Sequence, residues 1–140
     1  MSNIINLGDT STGVVKMFGK NVRRFLVEKQ AYLLLDGSHI TPQLLELGSN
    51  YLRMEKYDTS LETALINNMI TPEQYRGVYG KILTMIKQLD SFGLIHNDLH
   101  PRNIVCKNNF TECAIIDFEL SIIVEVGART NLDMNFYHNF

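Results

Sequence analysis

Short apolar runs separated by polar turns open the chain. Residues 4–7 and 13–18 are β-prone stretches on either side of Gly8-Asp9-Thr10-Ser11-Thr12, a composition that predicts a hairpin. The period then changes. Asn21 is placed to cap a helix starting near Val22 and Gly37 to stop it, with Phe25, Glu28 and Tyr32 on one face. A second hairpin follows, with 44–47 and 51–57 around Gly48-Ser49-Asn50. The clearest element is a long helix. Thr71 serves as its N-cap, Pro72 suits the first turn and Gln74 completes a capping box. Tyr75, Val78, Tyr79, Ile82, Ile86 and Leu89 then recur at three- and four-residue steps until Gly93 ends the pattern. Residues 104–106 and 113–116 around Lys107-Asn108-Asn109 predict a third hairpin. Strands, helix, strands, helix and hairpin together predict an α+β domain.

Composition narrows the function classes. A chain of 140 residues, 45% hydrophobic and 20% charged, makes one domain with a core of its own, and no linker or repeat divides it. With 13 Lys+Arg against 15 Asp+Glu, the net charge of −2 argues against a nucleic-acid partner, and the basic stretch 16–24 reads as the solvated side of one helix. No apolar run approaches the ~18 residues of a membrane span, and the first residues lack a secretory pattern. Cys106 and Cys113 are too few for a disulfide framework or a four-ligand zinc site; they read as core thiols rather than a redox pair. The expectation is a reduced, soluble, cytoplasmic domain without a membrane or nucleic-acid partner.

The chemistry concentrates between the long helix and the third hairpin, in His96-Asn97-Asp98-Leu99-His100-Pro101-Arg102-Asn103. Titratable side chains on a loop held at both ends by packed elements are a common catalytic arrangement. After the hairpin, Ile115-Ile116-Asp117-Phe118-Glu119 delivers a second carboxylate, and the fold-back brings Asp117 toward Asn103 and Asp98. Asn and Asp oxygens suit Mg²⁺, and a separate Asp can orient an attacking hydroxyl and accept its proton. These are parts of phosphoryl transfer, which also needs a cation on the phosphates. Lys16 stands in an otherwise apolar strand, and Glu28 on the inner face of the next helix is its natural partner. Each of Asp98, Asn103 and Asp117 alone would be called turn chemistry; the three in this order are much harder to explain that way. His96 reads as a buried structural histidine and His100 as a loop-stabilising one.

In this arrangement the chain resembles the protein-kinase-like superfamily, collinearly over nearly its whole length. Val15-Lys16 resembles the strand carrying the ATP lysine, and Glu28 the helix glutamate that pairs with it. Residues 52–57 followed by Ser60-Leu61 resemble the hinge bordering the adenine, His96-Asn97-Asp98 through Asn103 the catalytic loop, and Asp117-Phe118-Glu119 the metal-binding DFG segment. The resemblance implies Asp98 as base, Asn103 and Asp117 as metal ligands, and Lys16, Glu28, Glu55 and Tyr57 in the ATP site. ATP and Mg²⁺ are the cofactors it implies. The expected fold is a reduced kinase: an antiparallel-sheet N-lobe with one helix over residues 1–57, then a truncated, mainly helical C-lobe with a β-hairpin over 58–140.

Three departures from the kinase pattern shape the functional expectation. Lys16 lies so near Met1 that the first strand and the Gly-rich phosphate loop are expected to be missing, with 9–13 read as the turn into the lysine strand. Asp98-Leu99-His100-Pro101 and Asp117-Phe118-Glu119 are more similar to aminoglycoside and choline kinases and to atypical protein kinases of the RIO type. Only 23 residues follow Asp117, with no Ala-Pro-Glu motif. The leading expectation is an atypical Ser/Thr protein kinase acting on a protein hydroxyl. The alternatives are an inactive kinase mimic (a pseudokinase) that binds a kinase partner, and a small-molecule kinase.

Overall fold

The computed structural model describes residues 3–6, 13–132, 136, 139 and 140, with side chains from residue 13 onward. Four strands form the first sheet: β1 (Asn3–Asn6), β2 (Val14–Met17), β3 (Leu44–Leu47) and β4 (Tyr51–Met54), in the order β1-β2-β4-β3. All its pairings are antiparallel, and Lys16 sits opposite Ile4 on one side and Leu52 on the other. The first two predicted hairpins are therefore present, although Leu7 and the turn 8–12 lie outside the described residues. Gly13 shows why the chain enters β2 as it does. Its φ is +80°, and a Cβ there would lie 2.2 Å from the Met54 carbonyl oxygen, so only glycine allows this approach.

Helix α1 (Val22–Leu34) starts where Asn21 caps it, the side chain accepting from Arg24 N–H at 3.2 Å. It lays Phe25, Glu28, Ala31 and Tyr32 inward. The strand expected over 51–57 stops at Met54, where its pairings with β2 and β3 both run out, with one further bond from Glu55 N–H to Gln43 O. Strand β5 (Thr59–Ser60) and α2 (Leu61–Ile66) follow, the latter capped by Ser60. Neither was legible beforehand: two strand residues and a six-residue helix carry no period to detect.

Helix α3 (Pro72–Ser91) has the full capping box, with Thr71 Oγ1 accepting from Gln74 N–H and Gln74 Oε1 from Thr71 N–H. Val78, Ile82, Met85, Ile86 and Leu89 are its buried stripe, and Tyr75 and Tyr79 border it half-buried. Gly93, at φ +69°, ends it where a Cβ would strike the Val124 carbonyl.

Strands β6 (Leu94–Ile95) and β9 (Ile122–Ile123) pair with each other and bracket residues 96–121. Between them, β7 (Ile104–Lys107) and β8 (Glu112–Ile115) form the third hairpin, which β5 extends to a three-stranded sheet. Phe136 is buried against Tyr79 and Phe140, Tyr75 donates to Phe140 O, and Asn139 donates to Leu99 O, so the tail packs on α3 and the 96–103 loop. One core of Phe18, Phe25, Tyr32, Leu52, Ile82, Ile86, Ile104 and Phe118, among others, runs through both sheets and the helices. The fold is α+β and matches a reduced kinase-like architecture. Among the described residues no helix is long and apolar enough to cross a membrane.

Candidate active site

Two polar clusters, joined by backbone, make up the site. The first centres on Lys16. Strand β2 carries it into the core, where it is 5% exposed, and its Nζ lies 2.6 Å from Glu28 Oε2, 3.3 Å from Asp117 Oδ1 and 3.7 Å from Glu119 Oε1. An aliphatic stem crossing an apolar strand to a charged tip is the usual way a lysine is buried, and here its tip meets three carboxylates. The cluster carries an excess of negative charge, eased at its rim by Arg24 at 3.6 Å from Glu119. Burial pulls the Lys16 pKa down, but Glu28, Asp117 and Glu119 outweigh it, and the ammonium is held above its ordinary range. Burial drives the Glu28 carboxyl up to about 7 against the pull of Lys16. The two shifts have different origins: the carboxylates outweigh burial at Lys16, whereas burial outweighs the attraction of Lys16 at Glu28.

The second cluster is the loop from His96 to Asn103. Asn103 donates its amide to the Asp98 carbonyl at 2.9 Å and to Asp98 Oδ2 at 3.2 Å, which turns its own Oδ1 away from that pair. His100 Nε2 lies 3.1 Å from Asp98 Oδ1, as expected of a loop-stabilising histidine. His96 is fully buried. Its Nδ1 accepts from Asp98 N–H at 3.0 Å, so Nε2 carries the proton donated to Ile116 O at 2.8 Å. Burial lowers its pKa and keeps the ring neutral. His96 thus pins the loop to the residue before Asp117, the structural role expected of it.

The hairpin closes the arrangement. Ile116 N–H donates to Asn103 O at 2.9 Å, so Asp117 follows directly on a residue bonded to Asn103. Asp117 has φ +63°, a conformation uncommon outside glycine and tolerated by Asp and Asn. Strained backbone of this kind concentrates at functional sites. The side chains of Asp98 and Asp117 are each about one third exposed, 34% and 33%, so both rooted carboxylates still face outward.

Of the residues expected in the site, Lys16, Glu28 and Asp117 meet directly, and Asp98 and Asn103 meet each other. Glu55 and Tyr57 lie apart from both clusters. Glu55 pairs with Lys107 at 2.6 Å, and the same ammonium stands 4.6 Å from the Tyr57 ring centre. Sequence reasoning missed Glu119 and Asn131. Glu119 stands two residues from Asp117, but Asp117 turns at φ +63°, so alternation along a strand does not place it, and only tertiary approach brings it to Lys16. Asn131 accepts from His96 N–H and donates to Leu94 O and Asp90, fastening the loop entrance to the end of α3. No spacing rule would have found it.

Hard oxygen donors dominate the set. Glu28 Oε1 is buried without a hydrogen-bond partner among the described residues, Glu119 Oε1 has only its 3.7 Å ion pair with Lys16, and one oxygen each of Glu28, Asp117 and Glu119 lies within 4.8 Å of the others. Unpaired buried carboxylate oxygen is costly unless a cation or donor approaches, so these residues fit a divalent cation nearby. Beside Asp98 opens a cavity of about 660 Å³ bounded by Asn97, His100, Arg129, Asn131 and Asn139.

The RIO domain family matches residues 16–133, which spans both clusters. The "Serine/threonine-protein kinase D" of Synechocystis sp. is 31% identical over 98 residues, 66% of this chain. The chain spans 19% of the length of that curated relative. The matched stretch begins at Lys16 and runs past Glu119 to the tail, and the chain belongs to the RIO domain family, within the atypical protein-kinase-like superfamily.

Proposed function

We propose that this domain transfers the terminal phosphoryl group of ATP, held with Mg²⁺, to a serine or threonine hydroxyl of a protein. Asn103 and Asp117 are the metal ligands in this reading, and Mg²⁺ supplies neutralisation of phosphate charge. Lys16 contacts the phosphates, and Glu28 positions it. Because Glu28 and Asp117 both hold one ammonium, phosphate oxygens approaching Lys16 meet a charge already fixed in place rather than one that must be ordered. Asp98 orients the acceptor hydroxyl and takes its proton as the oxygen bonds to phosphorus and the ADP oxygen leaves. Asn103 keeps Asp98 in place by donating to both its backbone and its carboxylate. Glu55 and Tyr57 border the adenine, with Lys107 fixing both. The named function of the Synechocystis relative supports the acceptor class.

The observation that carries this reading is the buried Lys16 ammonium joining Glu28 and Asp117, a residue 101 positions away, beside a loop that pairs Asp98 with Asn103. The test is transfer of labelled γ-phosphate to a generic protein substrate or to the chain itself. Asp98→Asn is expected to lower the rate by ~10²-fold or more while ATP binding persists. Equal transfer by the variant would overturn the assignment of Asp98. A small alcohol as acceptor is favoured by one observation, the cavity beside Asp98, whose volume is that of a ligand pocket. Turnover of a free alcohol with no protein phosphorylation would establish that second reading.

A further inference from the structure

Cys106 and Cys113 were expected to be inert core thiols, and both are buried and free. Their placement says more. They are direct partners in the β7–β8 ladder, and their sulfurs lie 3.8 Å apart. The ladder has two kinds of rung, and hydrogen bonds around it decide which kind this is. Ile116 N–H points to Asn103 O, across the hairpin, whereas Ile115 N–H points away from β7 to Ile40 O. Cys113 shares the parity of Ile115 and so turns its backbone away from β7. Cys106 does the same on its side, its carbonyl accepting from Asp58 N–H at 3.0 Å. The two cysteines therefore face each other at a non-hydrogen-bonded rung, where Cα atoms are about 4.5 Å apart and side chains come closest. Disulfides span Cα separations of roughly 4.4–6.8 Å, so the bond needs side-chain rotation and no movement of the strands.

Reagents have a way in. Cys113 lines a cavity of about 560 Å³ shared with His39, Tyr57, Lys81, Thr84 and Glu112, and Gly77 and Gly80 of α3 leave its wall without side chains. Cys106 is 1% exposed and borders no such opening among the described residues. Either sulfur can donate in their contact, so access is what distinguishes the pair: Cys113 meets the cavity and Cys106 does not.

We propose that Cys106 and Cys113 form an oxidisable pair, in which Cys113 attacks a hydroperoxide entering the cavity and Cys106 resolves the product to a cross-strand disulfide. The Cys113 thiolate breaks the O–O bond of hydrogen peroxide, giving a sulfenic acid and, with one proton, water. The Cys106 sulfur then displaces the sulfenic hydroxyl, which leaves as a second water with the Cys106 proton. Two thiols lose two electrons in all, and the peroxide gains them. The bond lies three rungs from the Asn103–Ile116 pairing and fastens the hairpin that carries Asn103 and Asp117 at its ends.

The test treats the intact chain, fully reduced, with one equivalent of hydrogen peroxide. Expected are loss of both titratable thiols, a mass lower by two hydrogens on a monomeric species, and full reversal by dithiothreitol. In Cys106→Ser, dimedone is expected to label Cys113; in Cys113→Ser, Cys106 is expected to stay unlabelled. Two thiols that persist in the native wild type and react only in urea would overturn the proposal, as would intermolecular dimers or preferential labelling of Cys106. The wild-type measurement stands whether or not either variant folds.

Discussion

At the scale of single residues, the site is a problem of burying charge. Glu28 is fully buried, and its carboxyl is raised by burial from 4.5 to about 7. A carboxyl raised in the folded state binds its proton more tightly there than in the unfolded chain. Its contribution to stability is therefore complete below pH ~4.5 and is lost as pH rises through about 7. Glu28→Gln is expected to flatten that part of the stability profile, measured as urea midpoints from pH 5 to pH 8. An unchanged slope would mean that Glu28 ionises as freely when folded as when unfolded. His96 offers a second check. Removing its ring leaves the Asp98 N–H and the Ile116 carbonyl without their partner, and each such group costs about 1–3 kcal/mol. His96→Ala should lower unfolding free energy by roughly 2–5 kcal/mol, read from chemical denaturation. A loss below about 1 kcal/mol would show the bridge to be incidental.

Among elements, α3 sets the geometry that the loop inherits. Its stripe buries Ile82, Ile86 and Leu89 completely, its capping box fixes where it begins, and Gly93 fixes where it ends, three residues before His96. Ile86→Ala is expected to cost about 2–5 kcal/mol and Thr71→Ala about 1 kcal/mol, both measurable by thermal or urea unfolding. The larger loss belongs to the core position; the reverse order would contradict this division. Legibility also varied by element. Helix α3 was readable to the residue because capping and period agree, and the hairpins were readable from their turns. Strands β5, β6 and β9, two residues each, were not, since pairing partners far along the chain create them. The strand expected to reach Tyr57 ended at Met54 for a similar reason, since its pairing with both neighbouring strands runs out there.

Over the whole molecule, the proposed function depends on three distant stretches meeting. Lys16, the 96–103 loop and Asp117 are brought together by a sheet, a helix and a hairpin that share one core. The order of these residues was visible in the chain, and residues 16–133 match the RIO domain family. The Glu119 carboxylate beside Lys16 and the Asn131 staple were not visible, because both rest on tertiary approach rather than spacing. The central claim is that the two clusters act as one magnesium–nucleotide site. Calorimetric titration of the intact chain with ATP, with and without Mg²⁺, tests it most directly, comparing wild type with Asp117→Asn. The account predicts binding that requires Mg²⁺ and weakens by at least ~10-fold in the variant. Binding indifferent to both the metal and Asp117, or none at millimolar ATP, would contradict it.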